Sequence, residues 1–387
     1  MDPTTSTRRG SPPLRVVLVS PPLDASGGIG RLMSYVLALL EPQQIEVHHI
    51  DSRGRSSRPI LSLGPLLRTC AALVAVKARR NVDVVHINMS YRGSTIRKGV
   101  VAWTCRTLRI PVVLHLHTCE YEEFYRRLPS TLQRAARATF LRADHVIVLG
   151  HVWESFVVDE LRVPRQRVTV LYNAAPGPVE IRLRQSRSVR EGIRLLFVGQ
   201  LGARKGVTEL LTALSRVEAD SGDWSLTMAG DGDIEKAKTL ARELGILHRV
   251  TFTGWLDSPG VHKLLESSDV LILPSHAEGL PMAIVEAFAF EVAVIASSVG
   301  AIPEIVVDRK SGLLVSPGDV DALEQAIRDL CADDQLRESL ARAGRRTWES
   351  RLEIGQYIER ITEIWRATAA GRNSRRLTVD PLSEDQT

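Results

Sequence analysis

Sulfur is scarce in this chain of 387 residues: Cys70, Cys105, Cys119 and Cys331 stand far apart, with no C-x-x-C among them. The spacing gives no disulfide framework and implies free thiols in a reducing cytosol. Long apolar runs are missing too, since none approaches the roughly 18–20 residues of a membrane span. Arg8-Arg9 is followed only by Val16–Val19, a run already needed as a first strand, so no signal peptide is expected. Basic residues are not interleaved with aromatics in any nucleic-acid recognition module, so no nucleic-acid partner is expected. The dinucleotide fingerprint G-x-G-x-x-G is incomplete, because Gly28-Ile29-Gly30-Arg31-Leu32-Met33 lacks its last glycine. These absences leave a cytoplasmic protein, soluble or peripheral on the inner face of the cell membrane.

What remains is ordinary globular composition, 44% hydrophobic and 25% charged, in a chain long enough for two full cores. Short Val/Ile/Leu runs alternate with helix-length segments. The first series is Val16–Val19, Ile45–Ile50, Val82–Ile87, Val112–Leu116, Val146–Leu149 and Val168–Leu171. The second is Ile193–Val198, Ser225–Ala229, Val250–Phe252, Val270–Leu273, Val292–Ala296 and Leu313–Val315. Repeated strand-then-helix spacing predicts an α/β protein with parallel sheets covered by helices. The Pro-, Gly- and Arg-rich stretch 173–192 divides the series. It predicts a first Rossmann-like domain over 15–175, a second over 192–350, and a final helix at 351–370. Polar tails at 1–14 and 371–387 flank them, and the last helices are expected at Asp334–Ala343 and Ile354–Ala369. Charge is uneven. Residues 1–180 hold 24 Lys+Arg against 14 Asp+Glu (+10), and the remainder 26 against 31 (−5), so the first half is the one suited to an anionic partner.

The most informative stretch is 271–304, in which a buried strand, a turn, a helix from about Pro281 to Ala289 and a second strand follow one another. Pro281 suits the first helical position. The N–H groups of Gly279, Leu280 and Met282 would converge at the helix start and form an anion cradle at the carboxyl end of a parallel strand. Glu278 and Glu286 bracket it, eight positions apart. An ordinary βαβ unit with surface carboxylates explains the pattern but not an acid aimed at an anion site. A ligand carrying both phosphates and hydroxyls uses both features.

The run Pro274-Ser-His-Ala-Glu278-Gly-Leu-Pro-Met-Ala-Ile-Val-Glu286, with the trailing Gly300–Val306, resembles the EX7E signature of the family-4 retaining glycosyltransferases. The resemblance implies the GT-B fold, two Rossmann-like domains with parallel sheets facing a central cleft. It places Glu278 on the donor sugar's hydroxyls, Glu286 on the nucleotide ribose, and the diphosphate on the cradle of Gly279, Leu280 and Pro281. Gly27-Gly28 corresponds to the family's glycine loop at the diphosphate, and His117 to its active-site histidine beside the donor sugar. Phe197–Gly206 is similar to the family's G-R-x-x-x-x-K-G, with Lys205 on the phosphates. Gln200 replaces the usual arginine there, and Arg204 is expected to compensate, since a guanidinium grips phosphate bidentately.

Two stretches carry metal-like patterns. His115 and His117 share a strand face and would need His86 or Glu120 as a third ligand, but match no compact zinc spacing, so His115 is expected to be a hydrogen-bonded structural histidine. Asp231-Gly232-Asp233 copies a D-x-D metal triplet but sits where a helix cap belongs. Cys119 has no base beside it in sequence. The expectation is a metal-independent hexosyltransferase with a nucleotide-diphosphate sugar as co-substrate and no resident cofactor. The acceptor would be a lipid-linked, glycan or small molecule. A sugar-nucleotide epimerase on the same fold, a dinucleotide-dependent oxidoreductase and a non-catalytic sugar-nucleotide binder are the rivals. Basic residues beside apolar ones, among them Lys77, Arg79, Arg97, Lys98, Trp103, Arg126, Arg134 and Arg137, suit an anionic membrane surface.

Overall fold

A computed structural model describes residues 12–23, 27–41, 44–52, 63–178, 192–217 and 223–371. Most of both expected tails and the 179–191 part of the expected linker lie outside these residues. Each of the twelve apolar runs becomes a strand, in two parallel sheets. The first contains β1 (Leu14–Ser20), β2 (Ile45–Asp51), β3 (Val84–Met89), β4 (Val112–Leu116), β5 (His145–Val148) and β6 (Val168–Val170), in the order β2-β1-β3-β4-β5-β6. The second contains β7 (Ile193–Val198), β8 (Trp224–Ala229), β9 (Val250–Gly254), β10 (Val270–Leu273), β11 (Ala293–Ser297) and β12 (Leu313–Val315), in the order β12-β11-β10-β7-β8-β9. β3, β4, β5, β10 and β11 are buried along their whole length, because helices cover both faces of a doubly wound sheet. In each sheet the strand order reverses beside the first strand, between β1 and β3 and between β7 and β10, which is where open α/β sheets bind ligands.

The helices of the first half are α1 (Gly28–Leu39), α2 (Leu63–Ala78), α3 (Gly93–Thr107), α4 (Tyr121–Arg126), α5 (Ser130–Arg142) and α6 (His151–Ser155). Those of the second are α7 (Val207–Arg216), α8 (Ile234–Glu243), α9 (Ser258–Ser267), α10 (Met282–Ala289), α11 (Ile302–Ile305) and α12 (Val320–Ala332), followed by α13 (Asp334–Arg351) and α14 (Ile354–Ala369). Carboxylates of Asp257, Asp319, Asp333 and Glu353 accept backbone N–H groups at the starts of α9, α12, α13 and α14. α13 passes straight through Gly344, where the sequence expectation ended it. A Cβ at Gly344 would stand 2.5 Å from the Phe288 ring, so this glycine permits close packing of α13 on α10 and does not stop the helix.

The two halves are tied by specific bonds. Trp348 Nε1 donates to the Ala175 carbonyl at 3.0 Å, and α14 packs on α1, β3 and β4, where Trp365 Nε1 donates to His86 Nδ1 at 3.0 Å. The Glu304 carboxylate accepts the N–H groups of His151 (2.9 Å) and Val152 (3.2 Å) at the start of α6, and the Tyr172 hydroxyl at 2.8 Å.

Candidate active site

The carboxyl ends of β1, β4, β7 and β10 border one cleft of about 510 Å³ between the two sheets. From the first half, Gly27 (φ 138°) and Gly28 turn the chain from β1 into α1 and set α1 against the start of α10. A Cβ on Gly28 would lie 3.3 Å from the Met282 side chain. From the second half, Ala203–Lys205 forms a single helical turn ending at Gly206 (φ +68°), which lies so close to β10 that a Cβ there would be 2.0 Å from the Pro274 carbonyl oxygen. That contact brings Lys205 to the turn carrying Glu278. Lys205 Nζ donates to Glu278 Oε1, and the two side chains are only 13% and 8% exposed. Gly300 (φ +58°) performs the same service beneath the carboxylate, since a Cβ there would be 2.0 Å from the Glu278 carbonyl oxygen.

Of the residues expected at the site, Gly28, His117, Arg204, Lys205, Glu278, Gly279, Leu280 and Pro281 line this cleft. Arg204 is held at its rim, Nη1 donating to the Ala277 carbonyl at 3.0 Å. Gln200 and Asp231 line the cleft too. Pro281 is the residue before the helix, extended at φ −71° and ψ 128°, rather than its first residue as expected, and α10 starts at Met282. Its carbonyl accepts Ile284 N at 3.2 Å, so the turn is closed from the capping position. Among the described residues no hydrogen bond takes the N–H groups of Gly279, Leu280 or Met282.

Glu286 lies beyond the cleft wall. It is fully buried on α10, with Arg31 Nη1 2.9 Å from one oxygen and the Tyr35 hydroxyl donating to the other at 2.7 Å. Both partners come from α1, and burial beside this carboxylate pushes the Tyr35 phenol well above its ordinary pKa.

His117 sits among buried polar groups. Trp365 donates to His86 Nδ1, so His86 carries its proton on Nε2 and donates to Asn88 Oδ1 at 3.0 Å. His117 Nε2 reaches the same oxygen at 2.7 Å, which makes it a second donor and leaves its Nδ1 as an acceptor. Burial lowers the pKa of His86 to about 4 and that of His117 well below the ordinary value, so both imidazoles are neutral at pH 7. His115 departs from its expectation. It is fully buried, but neither ring nitrogen has a hydrogen-bond partner among the described residues, and its ring lies 3.7 Å from that of His117.

The D-x-D reading also changes. Asp233 precedes α8 by position, but its side chain makes no capping bond and pairs with Lys236 at 3.2 Å. Burial pushes the Cys119 thiol up to about 12, with the carboxylates of Glu120 and Glu278 adding to the effect, the opposite of an activated nucleophile.

Three cleft-lining residues and one residue behind His117 were not anticipated from the sequence. Arg31 lines the cleft one position after the glycine loop. Trp255, half exposed, stands just past the carboxyl end of β9. Asn173 lines it with Oδ1 unpartnered among the described residues while Nδ2 donates to the Leu280 carbonyl. Asn88 orients His117 from β3. For Asn88 and Asn173 the available signal was a polar residue at or just past the carboxyl end of a strand; Arg31 on α1 and Trp255 carried none.

Two doubly wound sheets thus flank a cleft lined by Lys205, Arg204, Glu278 and the residues leading into α10. Residues 15–176 match the model of Glycosyltransferase Family 4, and residues 180–347 that of Glycosyl transferases group 1. The chain belongs to this glycosyltransferase family. It is 27% identical over 369 residues to a phosphatidyl-myo-inositol mannosyltransferase of Mycobacterium leprae, covering 86% of this chain and 91% of that protein. It is 30% identical over 271 residues to a glycogen synthase of Mycobacterium tuberculosis, a match spanning 68% of this chain but only 64% of the relative's length. In structure it resembles HepE of Anabaena, solved in complex with UDP and glucose, with a TM-score of 0.71 at 19% identity over 92% of this chain and 100% of that one. The GT-B architecture expected from the sequence is thus the one observed.

Proposed function

We propose that the protein transfers a hexosyl group, with retention of anomeric configuration and without a metal ion, from a nucleoside-diphosphate sugar to an acceptor held on the first-half side of the cleft. The observation that carries this is the Lys205–Glu278 pair at the start of α10, a cation for the diphosphate and an acceptor for sugar hydroxyls that neutralise each other until a donor separates them. In the reaction the bond from the anomeric carbon to the diphosphate oxygen breaks and its electrons leave with the diphosphate. The acceptor oxygen bonds to the same face, and its proton passes to the departing diphosphate. Lys205, Arg204 and the N–H groups of Gly279, Leu280 and Met282 stabilise the charge that develops there. Gly28 lets the first-half backbone approach the same phosphates, and neutral His117 offers Nδ1 to a sugar hydroxyl. Ribose binding by Glu286 requires the contacts that bury this carboxylate against Arg31 and Tyr35 to open toward the cleft. The UDP held by HepE and the phosphatidylinositol acceptor named for the mycobacterial relative favour a nucleotide donor and a lipid-linked acceptor. The basic first half suits reversible docking on an anionic membrane, and no described helix is long and apolar enough to cross one.

A thermal-shift panel of UDP-, GDP- and ADP-sugars, followed by product analysis with the best donor, tests the reading. We expect one donor to stabilise the protein, activity to persist in EDTA, and the anomeric configuration of the product to match that of the donor. Donor turnover without an acceptor would favour an epimerase, and loss of activity on chelation that a divalent ion restores would reject metal independence. Flotation with anionic and neutral vesicles tests docking, with binding expected only to the former and weakened by salt.

A further inference from the structure

A second concavity, about 770 Å³, lies on the outside of the first half between α3, α4 and α5. Its wall is apolar, and four of its large hydrophobic residues are exposed: Ile96 (71%), Val100 (43%), Trp103 (45%) and Leu132 (52%). Leu67 and Val74 on the neighbouring α2 are exposed as well, so most of the exposed large hydrophobic side chains among the described residues gather on this one side. An apolar face of this kind marks a binding surface.

Charge and topology say what it binds. α3 and α5 carry no aspartate or glutamate, while Arg92, Arg106, Arg134, Arg137 and Arg142 stand exposed on or beside them. The Arg142 guanidinium lies 4.1 Å over the Trp103 ring. The chain's own segments outside the described residues nearest in sequence, 53–62 and 179–191, are themselves arginine-rich and match this charge rather than complement it. α3 and α4 both start at the carboxyl ends of their strands, the end of the sheet that carries the catalytic cleft. The groove therefore runs from Arg92 and Phe124 beside the cleft to Trp103 and Thr139 away from it. Its near end is joined to the cleft by touching side chains. Phe124 packs edge-on against Tyr91 at 6.3 Å, the Tyr91 hydroxyl donates to Glu120 at 3.1 Å, and Glu120 accepts from Thr118, the neighbour of His117.

We propose that this groove holds the hydrocarbon chain of the acceptor, an anionic amphiphile drawn from a lipid bilayer, with its charged head at Arg92 and its hydroxyl directed past Tyr91 and Glu120 into the cleft. The proposal rests on the transferase reading above and specifies its acceptor. Octyl, decyl and dodecyl phosphate, each below its aggregation concentration, are the probes, titrated against the full chain by calorimetry. Affinity should rise by up to about fourfold per added methylene. Val100→Asp and Ile96→Gln, both at exposed positions, should weaken dodecyl phosphate at least tenfold while leaving the thermal shift given by UDP or the preferred nucleotide unchanged. Affinity independent of chain length, or kept in both variants, overturns the proposal. So does a solution dimer that Val100→Asp dissolves, which would seat a second copy on this face. Chain-length-dependent binding in a protein that no nucleotide stabilises would support the groove and refute the donor reading instead.

Discussion

Lys205 and Glu278 are poorly solvated and depend on each other, so replacing either one has two consequences that can be measured separately. Breaking a buried pair by removing one partner leaves an uncompensated charge. Glu278 is a buried residue and not the exposed loop carboxylate that its place in a turn implies, so Glu278→Gln should abolish transfer and also lower the melting temperature. A nucleoside diphosphate should recover part of that stability by giving Lys205 a new anion. Transfer near the wild-type rate in this variant would remove Glu278 from the chemistry. Lys205→Ala should weaken nucleoside-diphosphate binding more than nucleoside binding, by roughly 1.5–3 kcal/mol for one charge-assisted bond. Calorimetry with both ligands decides it, and equal losses would show that the ammonium does not meet phosphate. Arg204→Ala in the same assay asks whether the guanidinium at the rim makes up for Gln200.

Between elements, the contact of α1 with α10 is what reading along the chain could not supply. Arg31 and Tyr35 meet Glu286 across 255 and 251 positions of sequence. Only the assembled fold brings these groups together, and the motif containing Glu286 gives no hint of a partner in the first half. The central strands were legible because a parallel strand buried on both faces is apolar nearly throughout, as β5, β10 and β11 are. β2 and β9, which are only half buried, show instead as alternating apolar and polar residues. The glycine loop and the start of α10 were legible because backbone geometry there demands particular residues. Gly344 misled, since a glycine needed for helix packing looks the same in sequence as one that ends a helix. His115 misled too, because burial of a strand histidine does not guarantee it a hydrogen bond. The α1–α10 contact itself can be tested with Tyr35→Phe, which removes one donor from a fully buried carboxylate and should cost about 1–3 kcal/mol in equilibrium urea unfolding at pH 7. A midpoint unchanged from wild type would mean that the hydroxyl is not holding Glu286.

Across the whole molecule, the buried imidazoles are unevenly distributed, and acid should expose the difference. His86 on β3, His115 on β4, His145 on β5 and His117 just beyond β4 all lie in the first half, while in the second only the partly buried His262 is lowered. Burial is the largest cause for each, and it brings His86 and His145 down to about 4. The folded pKa is therefore below the unfolded value, so between about pH 6.5 and pH 4 the unfolded chain binds more protons than the folded one. Stability is then full above pH 6.5 and falls as the pH drops through that window, by on the order of 3 kcal/mol for a fully titrated imidazole of this kind. The loss belongs to the first sheet, and α14 shares it, because Trp365 donates to the His86 nitrogen that a second proton would occupy. Urea midpoints should therefore decline steadily from pH 7 to pH 4.5. Amide exchange, corrected for its intrinsic pH dependence, should speed up in β3, β4, β5 and α14 before β10 and β11. A midpoint that stays flat over this range, or exchange that rises equally in both sheets, would show that these histidines are not held neutral by the fold.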